Sequence, residues 1–150
     1  MVLAIEEILR RLPHRYPMLL IDKVTEIIPR KRITAVKNLT FNEPYFDSSA
    51  GTPAMPGMLI VEAMAQAAAL FSFTLEGQDS RPAHGTVVYY FLGIDDAKFM
   101  APAVPGDQLR IEVDALRLSA SLCKYQGRAW VGDTLVAQAR ILCAMRPMAA

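Results

Sequence analysis

"PAMPGMLIVEAMAQAAALFSFTL", residues 53–75, decides how the rest of the chain must be arranged. Pro56-Gly57 opens a helix, because proline fits a first turn whose N–H would have no partner anyway. From Met58 to Leu75 the segment is apolar nearly all round, and such a helix must be covered on most sides. Its length approaches that of a bilayer span. Glu62 and Gln66 interrupt it, however, and no basic flank follows. The segment therefore reads as a helix buried inside protein, with no membrane span.

The sequence on either side supplies the cover. "MVLAIEEILRRLPHRYP" places Leu3, Ile5, Ile8, Leu9 and Leu12 at helical spacing, an amphipathic helix stopped before Pro13 and not a signal peptide. "MLLIDKVTEIIPRKRITAVKNLTF" gives two extended runs joined at Pro29 to Arg32, a hairpin. Pro44 to Pro56 is a loop with turn residues at Asp47, Ser48, Ser49, Gly51 and Pro53, and Glu76 to Gly85 is a polar loop. Beyond it, "TVVYYFLGIDDAKF", "DQLRIEVDALRLSA", "SLCKYQGRAWVG" and "TLVAQARILCAM" alternate like strands, with turns at Pro105-Gly106-Asp107 and Gly132-Asp133. The expectation is a single α+β domain over residues 1–150. A long central helix is wrapped by a curved antiparallel sheet of five to seven strands.

Composition narrows the function. A formal charge of +1 over 150 residues creates no field that would recruit nucleic acid or a membrane surface. The hydrophobic content of 53% suggests a large core or a buried oligomer face. Cys123 and Cys143 belong to no CxxC and no Cys/His cluster, so they read as small buried apolar residues of a reducing, cytoplasmic protein, without a metal site.

Glu62 and Gln66 are the chemically pointed residues. They share one helix face among Met, Leu, Ile, Val and Ala. A carboxylate in such surroundings must be hydrogen-bonded, protonated or facing a cavity. The free N–H groups of the helix start, beginning near Gly57, favour negative charge and suit a developing oxyanion. Gly57, with no side chain, would let a substrate carbonyl approach the backbone. From the residues alone, Glu62 is either an acid or base beside an oxyanion site, or a structural glutamate bonded to backbone or to Gln66.

The segments "LPHRYPMLLIDKV", "AVKNLTFNEPYF", "PAMPGMLIVEAMAQA", "YYFLGIDDAKF" and "PAVPGDQLRIEV" resemble, in the same order, those of the FabZ-type 3-hydroxyacyl-[acyl-carrier-protein] dehydratases, from about Ile5 to Ala144. The resemblance implies the hotdog fold, a homodimer or trimer of dimers, and an acyl chain carried on a phosphopantetheine arm. The implied reaction is dehydration of a 3-hydroxyacyl thioester to the trans-2-enoyl thioester, with no metal or dissociable cofactor. In that family a histidine of one subunit removes the C2 proton. A glutamate of the neighbour's central helix helps the C3 hydroxyl leave as water. The glutamate maps onto Glu62 and the backbone oxyanion donor onto Gly57, with Gln66 as a helper.

The histidine does not map. The family pattern carries His-Phe-Pro-Gly ahead of the proline that opens "PVMPG". Here "DSSAGT" fills the interval from Phe46 to Pro53, one residue shorter, and Ser49 falls nearest the histidine position. Serine alone cannot abstract an α-proton at neutral pH. Two other histidines exist: His14, expected to be structural within "LPHRYP", and His84, in a loop that could reach a tunnel mouth. The basic residues that usually follow "AKF" are replaced by Met100-Ala101, leaving Lys98 there, with Arg110, Arg117, Lys124 and Arg128 as another basic surface for an acidic carrier.

Four functions fit these residues. One is a dehydratase acting on a thioester of acyl carrier protein or CoA, centred on Glu62 or using a histidine from elsewhere. Another is a subunit completed by a histidine-bearing paralogue. The third is a hotdog thioesterase using Glu62, and the last a non-catalytic acyl-thioester binder.

Overall fold

The computed structural model describes residues 1–46, 51–75, 87–119 and 121–147. In chain order these form helix α1 (Ile5–Arg11), strands β1 (Lys23–Ile28) and β2 (Arg32–Asn38), helix α2 (Gly57–Leu75), and strands β3 (Val87–Phe99), β4 (Gln108–Leu118), β5 (Cys123–Val131) and β6 (Thr134–Pro147). The six strands make one antiparallel sheet in the order β1-β2-β4-β5-β6-β3. The fold is α+β, with one long helix against a single sheet.

The period-2 pattern of the strands explains how the helix is covered. Ile33 and Ala35 of β2, Leu109, Ile111 and Val113 of β4, and Cys123, Tyr125 and Ala129 of β5 all face inward and are buried. Their outward neighbours are polar: Arg32, Asp114 and Arg128 form a charged chain across β2, β4 and β5 on the opposite face. α2 lies against β2, β4, β5 and β6. Its buried small residues, Ala63, Ala67 and Ala68, let the sheet come close. Two-thirds of the helix's most apolar 18-residue window is buried, which accounts for a span-like composition in a core helix.

Helix and sheet approach closely at Gly127. A Cβ there would stand 2.7 Å from Met64 Sδ and 3.1 Å from Met64 Cβ. Met64 is fully buried, and its Cβ moves only with the helix. Gly127→Ala should therefore destabilise the protein by about 1–3 kcal/mol, as overpacking does, despite the better strand propensity of alanine. Equilibrium urea unfolding measures this, and an unchanged midpoint would contradict the close contact.

At the N-terminus the structure corrects one sequence expectation. Helical spacing includes Leu3 in the first helix, but Leu3 forms an isolated antiparallel bridge to Val24, with N–H to carbonyl distances of 3.1 and 3.0 Å. Ala4 is extended (φ −79°, ψ 172°) and the helix begins only at Ile5. Glu6 and Glu7 in its first turn and Arg10 and Arg11 in its last complement the helix dipole. Leu3 is buried by strand-like pairing instead.

Among the described residues one charged side chain is buried. Lys37, at the inward register of β2, is buried and donates to Glu43 Oε1 at 2.7 Å, with Asp22 Oδ2 at 3.7 Å. The cluster ties the segment after β2 to the start of β1. Burial pushes the Tyr45 phenol well above its ordinary range, with the charges of Glu43 and Asp22 adding to it.

Candidate active site

The site is built where the N-terminal segment crosses α2. Met58, Glu62 and Gln66 lie at i, i+4 and i+8 on one face of α2. Along that face exposure falls from 61% at Met58 to 1% at Gln66, so Glu62 stands where the helix dips under its cover. The chain between α1 and β1 provides that cover, and Gln66 holds it in place. The side-chain amide donates from Nε2 to the Met18 carbonyl at 2.7 Å and to Glu62 Oε1 at 2.8 Å, while its Oε1 accepts the Leu20 N–H at 2.9 Å. A buried amide so bonded is a positioning element, which makes Gln66 more specific than the helper expected of it.

The same crossing brings His14 to Glu62. Nε2 of His14 lies 3.4 Å from Glu62 Oε1. The sequence assigns His14 a structural role within "LPHRYP"; the fold sets that residue beside the acid. The two are 48 positions apart, and spacing could not reveal the contact. A usable signal did exist: a buried glutamine needs several hydrogen-bond partners, and the proline-bounded "LPHRYP" turn offers backbone groups unpaired by any strand. His14 Nδ1 is buried and has no partner among the described residues.

The imidazole sets the electrostatics of the acid. His14 beside Glu62 lowers its carboxyl below the ordinary glutamate value, Gln66 adds to this, and partial burial opposes it without prevailing. Glu62 is thus a carboxylate at neutral pH. The role expected of it, helping the C3 hydroxyl leave as water, therefore starts from an ionised carboxyl. Among the described residues both contacts fall on Oε1, and the side chain as a whole is one-third exposed, so Oε2 is the atom left to meet a substrate.

Gly57 stands one and a half turns before Glu62. An open groove of about 490 Å³ reaches it, lined by Met55, Gly57, Met58, Ile60, Phe99, Met100, Ala101 and Pro102. The Pro56 carbonyl accepts the N–H groups of Leu59 and Ile60, so the N–H groups of Gly57 and Met58 are among the donors that a helix start leaves without an intrahelical acceptor. The expected free approach over the missing side chain is corrected, however. A Cβ on Gly57 would lie 2.6 Å from the Phe99 ring, so that side is already filled.

Phe99 is half exposed and its ring can swing outward. Gly57→Ala should therefore cost no more than about 1 kcal/mol, and the cost should vanish in a Phe99→Ala background. Thermal melts of the single and double variants measure it; an equal cost in both backgrounds would remove Phe99 as the cause.

Ser49 and His84 lie outside the described residues. Cys123 and Cys143 are buried thiols opposite one another on β5 and β6. No group of three metal-ligating side chains occurs among the described residues. The proposed basic surface is partly neutralised: Arg110 pairs with Glu112 and lies over Trp130, and Arg128 pairs with Asp114.

Known proteins resemble this chain in sequence and in fold. Residues 12–140 match the FabA-like domain family. Over 149 residues the chain is 56% identical to the 3-hydroxyacyl-[acyl-carrier-protein] dehydratase FabZ of Bordetella parapertussis, covering 99% of each chain. It is 52% identical over 145 residues to FabZ of Variovorax paradoxus, covering 96% of this chain and 95% of that one. Among solved structures, the dehydratase heterocomplex ApeI:P from Xenorhabdus doucetiae superposes with a TM-score of 0.77 at 19% identity, over 93% of this chain and 90% of its own. A hypothetical thioesterase with coenzyme A from Streptococcus pneumoniae reaches 0.62 at 10% identity, over 85% and 87%. Those two likenesses speak for the fold alone. The full-length identities and the family match go further: the chain belongs to the FabZ dehydratase family and has its hotdog fold.

Proposed function

We propose that the protein dehydrates 3-hydroxyacyl thioesters carried on acyl carrier protein, and that Glu62 moves the proton. The observation that carries this reading is the ionised Glu62 carboxylate, fixed through Oε1 by Gln66 and His14 with Oε2 left for substrate. Oε2 takes the C2 proton, and the thioester oxygen gains the charge, stabilised by the helix-start N–H groups at Gly57 and Met58. The C2=C3 bond then forms as the C3–O bond breaks. The same carboxyl returns its proton to the departing hydroxyl, so that water leaves and the carboxylate is regenerated. One carboxylate thus serves as base and then acid, which a chain with Ser49 nearest the family's histidine position requires.

The site supports a dimer as the working unit. β3 is an edge strand of 13 residues, paired on one side with β6, and it exposes Tyr90, Phe91 and Leu92. A long apolar edge of this kind is a template for another strand. A second copy pairing there would extend the sheet and cover these three side chains.

Hydration of a crotonyl thioester by the purified protein, followed by loss of enoyl absorbance, tests the reading. Turnover without release of free thiol supports it. Release of thiol without hydration would favour thioester hydrolysis at the same carboxylate. Turnover only after addition of a histidine-bearing hotdog partner would make the protein one half of a mixed dimer.

A further inference from the structure

We propose that His14, supplied by the same chain, is the positioning and charge-setting partner of Glu62. This rests on the dehydratase reading of Glu62 for its consequence, but not for its geometry. Three observations converge on it. His14 Nε2 faces Glu62 Oε1 at 3.4 Å. The segment carrying His14 is fastened to α2 by the Gln66 amide, which also bonds the same Oε1. The chain has two histidines, and Asp47 to Thr52 contains neither.

The consequences follow from charge and geometry. A carboxylate that must take a proton from carbon has to be ionised at rest and aimed. Gln66 and His14 together restrain Oε1, so Oε2 is directed outward by two donors from different elements. A hydrogen-bond donor or cation beside a carboxylate favours its ionised form. Among the described charged groups near the pair, Arg15 sends its guanidinium to the carbonyls of Leu9, Leu12 and His14. Gln66 on the helix itself is neutral. His14 is therefore the residue whose removal raises the Glu62 carboxyl.

The sign is explicit. Without His14, burial still pushes Glu62 up and only Gln66 opposes it, so the carboxylate is lost at a higher pH. In the full-length protein, His14→Gln should move the acid limb of kcat/KM upward by about one pH unit. The loss should be smallest at pH 8, reach about threefold near pH 5 and approach about tenfold only below both midpoints, with KM little changed. A merely structural role would lower the rate equally at every pH, and that result overturns the proposal.

A second readout needs no turnover. The side-chain carboxyl ¹³C signal of Glu62, assigned by its absence in Glu62→Gln, should titrate below ordinary glutamate in the unaltered protein and about one unit higher in His14→Gln. His14→Asn serves as a second variant if His14→Gln does not fold. An ordinary Glu62 midpoint in the unaltered protein, or an unmoved midpoint in either folded variant, overturns the pairing. If the titration behaves as expected while the unaltered protein shows no hydration, the pairing stands and the dehydratase reading fails.

Discussion

Glu62→Gln should lower kcat/KM for a 3-hydroxyacyl thioester by about 10²–10⁴-fold, the range expected when a proton-transfer group is removed. The substitution is nearly isosteric. Its carbonyl oxygen can still accept from Gln66 Nε2 and face His14, so the restraints on the side chain survive while the basic oxygen is lost. Glu62 is one-third exposed, and no buried group loses its only partner. Stability should stay within about 1 kcal/mol of the unaltered protein. A thermal melt and a hydration assay on the same sample separate the two effects. Retention of more than a tenth of the activity with a native melt would place the chemistry elsewhere than on this carboxyl.

Such a result would be specific because Glu62 differs from the other carboxylates that the fold holds. Asp114 is pressed by burial towards its neutral form, but Arg32 and Arg128 outweigh that and hold it below the ordinary aspartate value. It lies on the outer face of the sheet, within an ion network. Glu43 is tied to Lys37 beneath the segment after β2. Glu62 is paired with an imidazole and a neutral amide, neither of which blocks both of its oxygens. That difference, and not burial alone, separates a reactive carboxylate from a structural one.

Much of this arrangement can be read from residue order. The 3.6-residue apolar run after Pro56 and the period-2 runs from Lys23 and from Val87 onward dictate a core helix and strands, because each pattern buries only in one way. The turn residues then place the hairpins at Pro29 to Arg32 and at Gly132-Asp133. Leu3 shows the limit of periodicity: its spacing fits α1, but the extended Ala4 sends it to Val24. At the site, Glu62 stands out as an acid in apolar surroundings, and Gly57 as a glycine at a helix start. What cannot be read is which distant segment fills the space beside each. Phe99 takes the place of a Gly57 side chain, and His14 reaches Glu62, because the sheet and the α1–β1 segment close on α2 from opposite ends of the chain. Such contacts are set by tertiary packing, and in the sequence they show only as a glutamine, Gln66, that needs partners within an apolar helix.

The second large effect is expected at Gln66, where that closure is fastened. Gln66→Leu keeps the volume and removes three hydrogen bonds: Leu20 N–H to Oε1, and Nε2 to Met18 O and to Glu62 Oε1. Leu20 and residue 66 are both almost fully buried, so the Leu20 N–H and Met18 carbonyl would lose their protein partner. The buried Leu20 N–H left unsatisfied costs about 1–3 kcal/mol, whereas Met18 is 44% exposed and its carbonyl can turn to water. The destabilisation is therefore about 1–3 kcal/mol against a total of about 5–15 kcal/mol for a domain. The α1–β1 segment would loosen, and His14 with it. Well below the melting temperature, the variant should therefore also lose activity, with its acid limb displaced upward as in His14→Gln, because both lowering influences on Glu62 weaken together. Urea unfolding and a pH–rate profile on the folded fraction measure the two parts. Full stability with normal activity would mean that Gln66 is a passenger in the helix; lost stability with an unmoved acid limb would mean that it holds the fold without setting the charge of Glu62.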